Sequence, residues 1–350
     1  MNKYMGKNNS LTALNGVNVG HSTNVEKLHG CTVVVFDKPC NVAYKANGGA
    51  PRTYDSGILD AGKSYFLKHA IFISDGAHAG LETASEIIKG LREKGIGWKM
   101  DKAINPSITG ATVMSLGLKQ YAFDPKCGYE AIKNISKDEV QAGNSGAGTG
   151  TSVGKFSWTE NGKCLAMKTG IGSHKIDLGH GGIICSLTAV NALGNIINKD
   201  GSILAGNRND KEKPKFRSFE GFFNFLIDNF SNTTISIVGT NIKVYNQEDL
   251  RRIAEIATHG QVRAVKPVNT SLDSDSVFVF STQEIELNLT QLGKQIGNQN
   301  GDWWKLNVDI LGQFAADAIQ ESIYDACYKA KTINLELGYK GVIPSVDDYK

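Results

Sequence analysis

The clearest regularity along the chain is a series of short apolar runs separated by glycine-rich or charged stretches. Cys31-Thr32-Val33-Val34-Val35-Phe36 is β-branched and predicts a buried strand, with Val42 to Ala46 as its hairpin partner. Ala70 to Ser74 predicts a further strand. It leads into a turn of small residues, after which Leu81, Ala84, Ile87, Ile88 and Leu91 recur at helical spacing until Gly95 and Gly97. Ala111 to Leu116 reads as strand and Gly128 to Ile135 as a short helix. Gly182 to Val190 is almost continuously apolar, as expected of a strand buried on both faces, and it ends at Asn191. Asn198 to Gly201 reads as a turn before Ser202 to Ala205, and Thr233 onward and Ser276 to Phe280 read as further strands. Phe219 to Phe230 reads as an aromatic-rich helix. Gln247 to Thr258 carries Leu250, Ile253, Ala254 and Ala257 on one face, and Ile310 to Ala330 carries Leu311, Phe314, Ala315, Ala318, Ile319 and Ile323. Such a mixture predicts sheets covered by helices.

The connections carry the polar signals. Gly48-Gly49-Ala50-Pro51-Arg52-Thr53 is either a plain turn or a loop that brings backbone close to a ligand or another segment. Between Ala142 and Lys155 the glycine density is high. Val153 interrupts that run and Phe156-Ser157-Trp158 reads as strand, so a tight-packing loop presenting Lys155 fits better than a phosphate cradle. The turn after Ser74 lacks GxGxxG, which argues against a dinucleotide fold. Asn207 to Lys215 (NRNDKEKPK) reads as a surface linker.

Composition narrows the function classes. With 350 residues, 41% hydrophobic content and 39 glycines, the chain can bury a large core as one domain or two intimate ones. The formal charge of +3 is spread along the sequence, giving no electrostatic case for nucleic acid or an acidic membrane surface. A small molecule or short peptide is the expected partner. The N-terminal residues lack a signal-peptide core and no window approaches roughly 18 apolar residues, so a cytoplasmic location is expected. Six scattered cysteines without CxxC spacing are expected to be buried, reduced thiols.

Four polar features remain: a hydroxyl residue opening a strand (Thr233), an asparagine closing a buried one (Asn191), a lysine after a glycine loop (Lys155), and Asp273 and Asp275, whose spacing puts them on one face of an extended chain. Asn191 has either a structural or a functional role on this reading. If the Asn232–Thr233 bond were broken, Thr233 would hold a free amine beside its own hydroxyl, the pairing an N-terminal nucleophile needs. The two aspartates could hold a cation, but no third ligand lies nearby in the sequence, and no metal or other cofactor is implied.

Gly49 to Thr53, Gly80 to Glu82, Ala147 to Gly150 with Lys155, Val190 to Gly194, Asn232 to Ile235, and Pro267 to Phe278 resemble, in the same order, successive blocks of the DmpA-type aminopeptidases. Within that family the chain looks most like the 6-aminohexanoate (nylon) oligomer hydrolases. The resemblance implies an α+β, four-layer αββα sandwich of the N-terminal-nucleophile-hydrolase kind, shared with ornithine acetyltransferases. It implies self-cleavage between Asn232 and Thr233 into residues 1–232 and 233–350, which stay together as one domain. Thr233 would be the nucleophile, Asn191 the oxyanion donor and Lys155 an electropositive neighbour, with Asp273 and Asp275 orienting the lysine and the new ammonium. The implied activity is hydrolysis of amide bonds in 6-aminohexanoate oligomers or small peptides, by homo-oligomers, a tetramer by the family's habit. The alternatives are a β-peptidyl or L-/D-aminopeptidase, an acyltransferase, and a binding protein without catalysis. Ser274 between the aspartates, Met114-Ser115 and Ala77-His78 depart from the family pattern at positions expected to face substrate.

Overall fold

The computed structural model of the chain describes residues 8–119, 122–156, 165–209, 216–218, 232–286, 303–335 and 341–349. Its frame is one mixed sheet. β1 (Val17–Asn24) pairs antiparallel with the first half of β2 (His29–Ala46). On one side lie β3 (Thr53–Tyr54), β4 (Leu67–Ser74) and β5 (Ile108–Thr112). On the other lie β6 (Ile171–Gly179), β7 (Gly182–Asn191), β8 (Thr233–Ile242) and β9 (Ser276–Ile285). The order among the described strands is β6-β7-β8-β9-β2-β4-β5-β3, with β1 also on β2. The β8–β9 and β4–β5 pairs are parallel.

The long strand β2 joins two halves that face each other. Up to Phe36 it pairs with β1, and from Asn41 it pairs with β9; its ladder with β4 is irregular between Val35 and Cys40. Alternation along each strand then builds three apolar layers. Cys31, Val33 and Val35 pack with Ala70 and Phe72 under α1 (Thr83–Glu93) and α2 (Cys127–Lys133). Val34, Phe36, Ile71 and Ile73 meet Leu187, Ile235, Ile237, Phe278 and Phe280 between the two halves. Val190, Val238, Val277 and Val279 pack under α3 (Gln247–Ala264) and α4 (Trp303–Lys329). Reading outward gives helices, sheet half, sheet half, helices, the αββα arrangement. Each buried Phe or Ile in these layers contributes roughly 1.5–3 kcal/mol of transfer free energy, so the inter-sheet layer is rigid ground for a site at its edge.

Most of the expected elements are present, with informative departures. Val42 to Ala46 is not a hairpin partner of residues 31–36. Both belong to β2, and the polar Asp37-Lys38-Pro39 step is where β2 changes partners, a place where proline's missing N–H is tolerated. The real hairpin partner is β1, whose Asn18, Gly20, Ser22 and Asn24 dilute its apolar pattern. The strand expected at 111–116 lies at Ile108–Thr112, and Leu116 begins a 3-10 turn. β6 is an edge strand with one polar side, its apolar pattern diluted by Ser173, Lys175 and Asp177. At the start of the expected surface linker, Asn207 and Arg208 are buried, and Asn207 Nδ2 donates to Gly154 O at 2.6 Å. Residues 210–215, the helix expected at Phe219 to Phe230, and the Ser157-Trp158 end of the expected strand lie outside the described residues. Cys31, Cys40, Cys127, Cys185 and Cys327 are free thiols. No described helix is long and apolar enough to cross a membrane.

Candidate active site at the start of strand β8

Strand register decides which side chains meet. Leu187 and Ala189 on β7 and Ile235 and Ile237 on β8 point into the layer between the sheet halves. The two-residue period carries Asn191 and Thr233 to that same side at the strand ends. They are direct partners in the antiparallel ladder, which sets their Cα atoms about 4.5–5.5 Å apart. Both side chains are buried.

The polypeptide runs unbroken through Asn232 and Thr233. Thr233 Oγ1 donates a hydrogen bond to the carbonyl oxygen of Asn232. The backbone N–H of Ser274 donates to that same oxygen at 3.0 Å, and Asn232 is bridged in parallel to Asp273. The Asn232 side chain is fully buried, yet among the described residues neither its Oδ1 nor its Nδ2 has a hydrogen-bond partner. A buried polar group left unpaired costs about 1–3 kcal/mol, so the chain holds Asn232 here against a penalty.

Around this peptide the four polar features converge. Asn191 Nδ2 donates to Met114 O at 2.8 Å and its Oδ1 accepts from Ser152 N at 3.2 Å, which fixes the amide plane. Lys155, at the end of the glycine loop, donates from Nζ to Asn191 O at 2.7 Å. Its charge also acts on Asp273, lowering a carboxyl pKa that burial raises more strongly. Asp273 Oδ2 accepts from Thr270 N at 2.8 Å, and its buried Oδ1 has no partner among the described residues. Asp275 grips the backbone on either side: Oδ1 accepts from Thr234 N at 2.5 Å and Oδ2 from Asn269 N at 2.8 Å. Burial, followed by the neighbouring Asp273, pushes its pKa up to about 7. The part of Asp275 visible here is therefore to hold the strand carrying Thr233 in place.

The loop at residues 48–52 is a brace for this turn. Gly48 and Gly49 N–H groups donate to Asp275 O at 3.2 Å and Thr270 O at 3.0 Å, and Ala50 N donates to Asp273 O at 2.8 Å. A Cβ on Gly48 would sit 2.4 Å from Asp273 O, and one on Gly49 2.6 Å from Ser271 Cα, so only glycine allows this approach. Ser274 Oγ donates to Ala50 O at 2.6 Å and accepts from Arg52 Nη1 at 3.0 Å. Arg52 Nε in turn donates to His78 Nε2 at 3.4 Å.

Sequence reasoning missed a buried cluster behind Asn191. Asp75 accepts from Ser115 Oγ at 2.5 Å, Ser115 N at 3.0 Å and Gly76 N at 2.8 Å, and its Oδ2 lies 2.8 Å from His29 Nδ1. The serine here bonds the carboxylate and not the imidazole, so this is no nucleophile-activating triad. The cluster holds Ser115, and with it the preceding Met114 carbonyl on which Asn191 rests. The only local signal was an aspartate directly after the apolar strand Ala70 to Ser74. The Ser274 donor was also missed, because a backbone N–H leaves no mark in a sequence.

A model of peptidase family S58 matches residues 9–340. Over 319 residues the chain is 26% identical to the 6-aminohexanoate-oligomer endohydrolase of Kocuria sp. (strain KY2), covering 89% of this chain and 84% of that protein. It is 28% identical over 297 residues to an uncharacterized aminopeptidase of Mycobacterium tuberculosis (strain ATCC 25618 / H37Rv), covering 78% and 81%. Among solved structures, the L-aminopeptidase D-Ala-esterase/amidase from Ochrobactrum anthropi, described as a variant of the Ntn hydrolase fold, superposes with a TM-score of 0.66 at 16% identity, covering 96% of this chain and 90% of that one. A Burkholderia sp. beta-aminopeptidase superposes with a TM-score of 0.65, also at 16% identity, over 97% and 91%.

Proposed function

The chain belongs to peptidase family S58, and from that premise we propose that this amide-bond hydrolase matures by cutting itself between Asn232 and Thr233 and then uses Thr233 as an N-terminal nucleophile. The observation that carries the reading is the placement of the Thr233 hydroxyl against the Asn232 carbonyl, whose oxygen also accepts from Ser274 N–H.

In maturation, Thr233 Oγ1 attacks the carbonyl carbon of Asn232. The oxygen gains negative charge where the Ser274 N–H already points, and such a preorganised donor is worth roughly 2.7–4 kcal/mol. Asp273 Oδ1, buried and without a hydrogen-bond partner, is the acceptor assigned to the hydroxyl proton. The C–N bond then breaks, its nitrogen takes a proton to become the Thr233 amine, and Asn232 is left as an ester on Oγ1. Water hydrolyses that ester to the Asn232 carboxylate and the free hydroxyl. Leaving the site also returns the unpaired Asn232 amide to water, which favours vacating it. Residues 1–232 and 233–350 become two subunits that share the inter-sheet layer and the layer under α3 and α4, and the processed protomers are proposed to assemble as a homo-oligomer.

In turnover the freed α-amine, with a reference pKa of about 7.7–8.0, takes the hydroxyl proton near neutral pH. The substrate carbonyl occupies the place of Asn232 O. Asn191 uses one N–H on Met114 O, and its second is assigned to the oxyanion, beside Ser274 N–H. Lys155 keeps the surroundings electropositive, while Asp275 and its turn hold β8. Thr233 acylation releases the amine product, and water completes the hydrolysis. The names of the relatives favour 6-aminohexanoate oligomers or short peptides as substrates. The test is Thr233→Ala, which should remain a single chain without amidase activity. Hydrolysis persisting in that variant would place the nucleophile elsewhere.

A further inference from the structure

Arg52 lies one contact away from the scissile peptide and has no counter-charge among the described residues. Arg251, Arg252 and Arg263 each face a carboxylate, namely Glu248, Glu255 and Asp317. Arg52 is half-buried and instead rests on Ser274 Oγ at 3.0 Å and His78 Nε2 at 3.4 Å. Burial lowers its pKa, and no carboxylate among the described residues acts to raise it. Its own carbonyl accepts from Thr112 N at 3.0 Å, so the stem of the side chain starts from fixed backbone. A half-buried guanidinium loses hydration that a charged partner would restore, and its planar fork matches a carboxylate.

Its position says which carboxylate. Ser274 binds Arg52 through Oγ and the Asn232 carbonyl through N–H, so Nη1 lies no more than about 10 Å from the carbonyl under attack. That span fits a single α- or ω-amino acid in the leaving position. A linear amino-acid oligomer has one free carboxylate, and in a dimer it sits on the leaving half.

We propose that Arg52 is a specificity-determining residue that binds the free carboxylate of the leaving amino acid, so that the preferred substrates are short linear amides ending in an uncapped carboxylate. This rests on the reading of Thr233 as the amidase nucleophile. The guanidinium forms no bond in the reaction; it orients the amine half so that the amide carbonyl meets Thr233.

The test compares processed wild type with R52Q and R52K on two substrates, the linear 6-aminohexanoate dimer and the same dimer capped as its C-terminal N-methylamide. Wild type should favour the free acid by about 10- to 100-fold in kcat/KM, mainly through KM, the size of a lost charge-assisted bond. R52Q should bring the two substrates to near parity by losing on the acid alone, and R52K should recover part of the preference. A wild type indifferent to the cap, or an R52Q that loses equally on both substrates, would make Arg52 only a brace for Ser274 and overturn the proposal. Should wild type cleave neither dimer, the amidase reading fails for this substrate class. Calorimetry with 6-aminohexanoate then decides Arg52 by itself: binding to wild type that R52Q loses supports the carboxylate site, and absent or equal binding refutes it.

Discussion

Replacing Asn191 by Asp removes the donor assigned to the oxyanion with little change of shape. Oδ1 still accepts from Ser152 N, a contact of 3.2 Å, but the Nδ2 donor to Met114 O at 2.8 Å and the N–H assigned to the oxyanion both disappear. Two separable magnitudes follow. The part-buried Met114 carbonyl loses its donor, costing at most about 1–3 kcal/mol of stability. The developing oxyanion loses a preorganised donor worth roughly 2.7–4 kcal/mol, a fall of about 10²–10³ in kcat. The stability term is read by urea unfolding of Asn191→Asp in a Thr233→Ala background, where processing cannot confuse the result. The catalytic term is read as kcat of the processed Asn191→Asp enzyme. If kcat stays within about threefold of wild type while stability falls as expected, Asn191 is a strand-end residue satisfied by Met114 and Ser152 and not the donor.

Two further outcomes test the supports of the site. Asp275 has its pKa raised to about 7 in the folded chain, against about 3.9 when unfolded. The folded state thus holds a proton that the unfolded state releases, and stability from this group declines as pH rises from about 4 to 7, by at most about 1.4 kcal/mol per unit. Unfolding of the Thr233→Ala chain should show that slope and Thr233→Ala/Asp275→Asn should lack it; identical slopes would refute a protonated Asp275. Asp75→Ala removes the acceptor from Ser115 Oγ, Ser115 N and Gly76 N. It should cost about 3 kcal/mol or more in urea unfolding and slow self-cleavage about tenfold or more by loosening the Met114 support of Asn191. Wild-type cleavage kinetics in this variant would detach the cluster from the site.

The layers were legible because apolar patterning is local: the apolar runs of β2, β7, β8 and β9 and the striped α3 and α4 announce which elements are buried. Partner choice is not local. Residues 31–36 and 42–46 look like two arms of a hairpin, and only the presence of β1 and β9 at opposite halves shows that they are one strand. The candidate site was legible where a side chain stands out against its surroundings, as Asn191 does after Gly182 to Val190 and Thr233 does at the head of β8. What stayed hidden was supplied by backbone or by distant pairs: the Ser274 N–H, the Gly48-Gly49 approach to the 270–275 turn, and Asp75 meeting Ser115 across 40 residues.

The most direct test of the central claim is intact mass measurement of the purified protein under denaturing conditions, with N-terminal sequencing of the smaller fragment. Cleavage at the bond marked by the Thr233 hydroxyl predicts two polypeptides, residues 1–232 and 233–350, and a new terminus reading Thr-Thr-Ile-Ser-Ile. A single 37.8 kDa chain that nevertheless hydrolyses amides, or a new terminus other than Thr233, would contradict it.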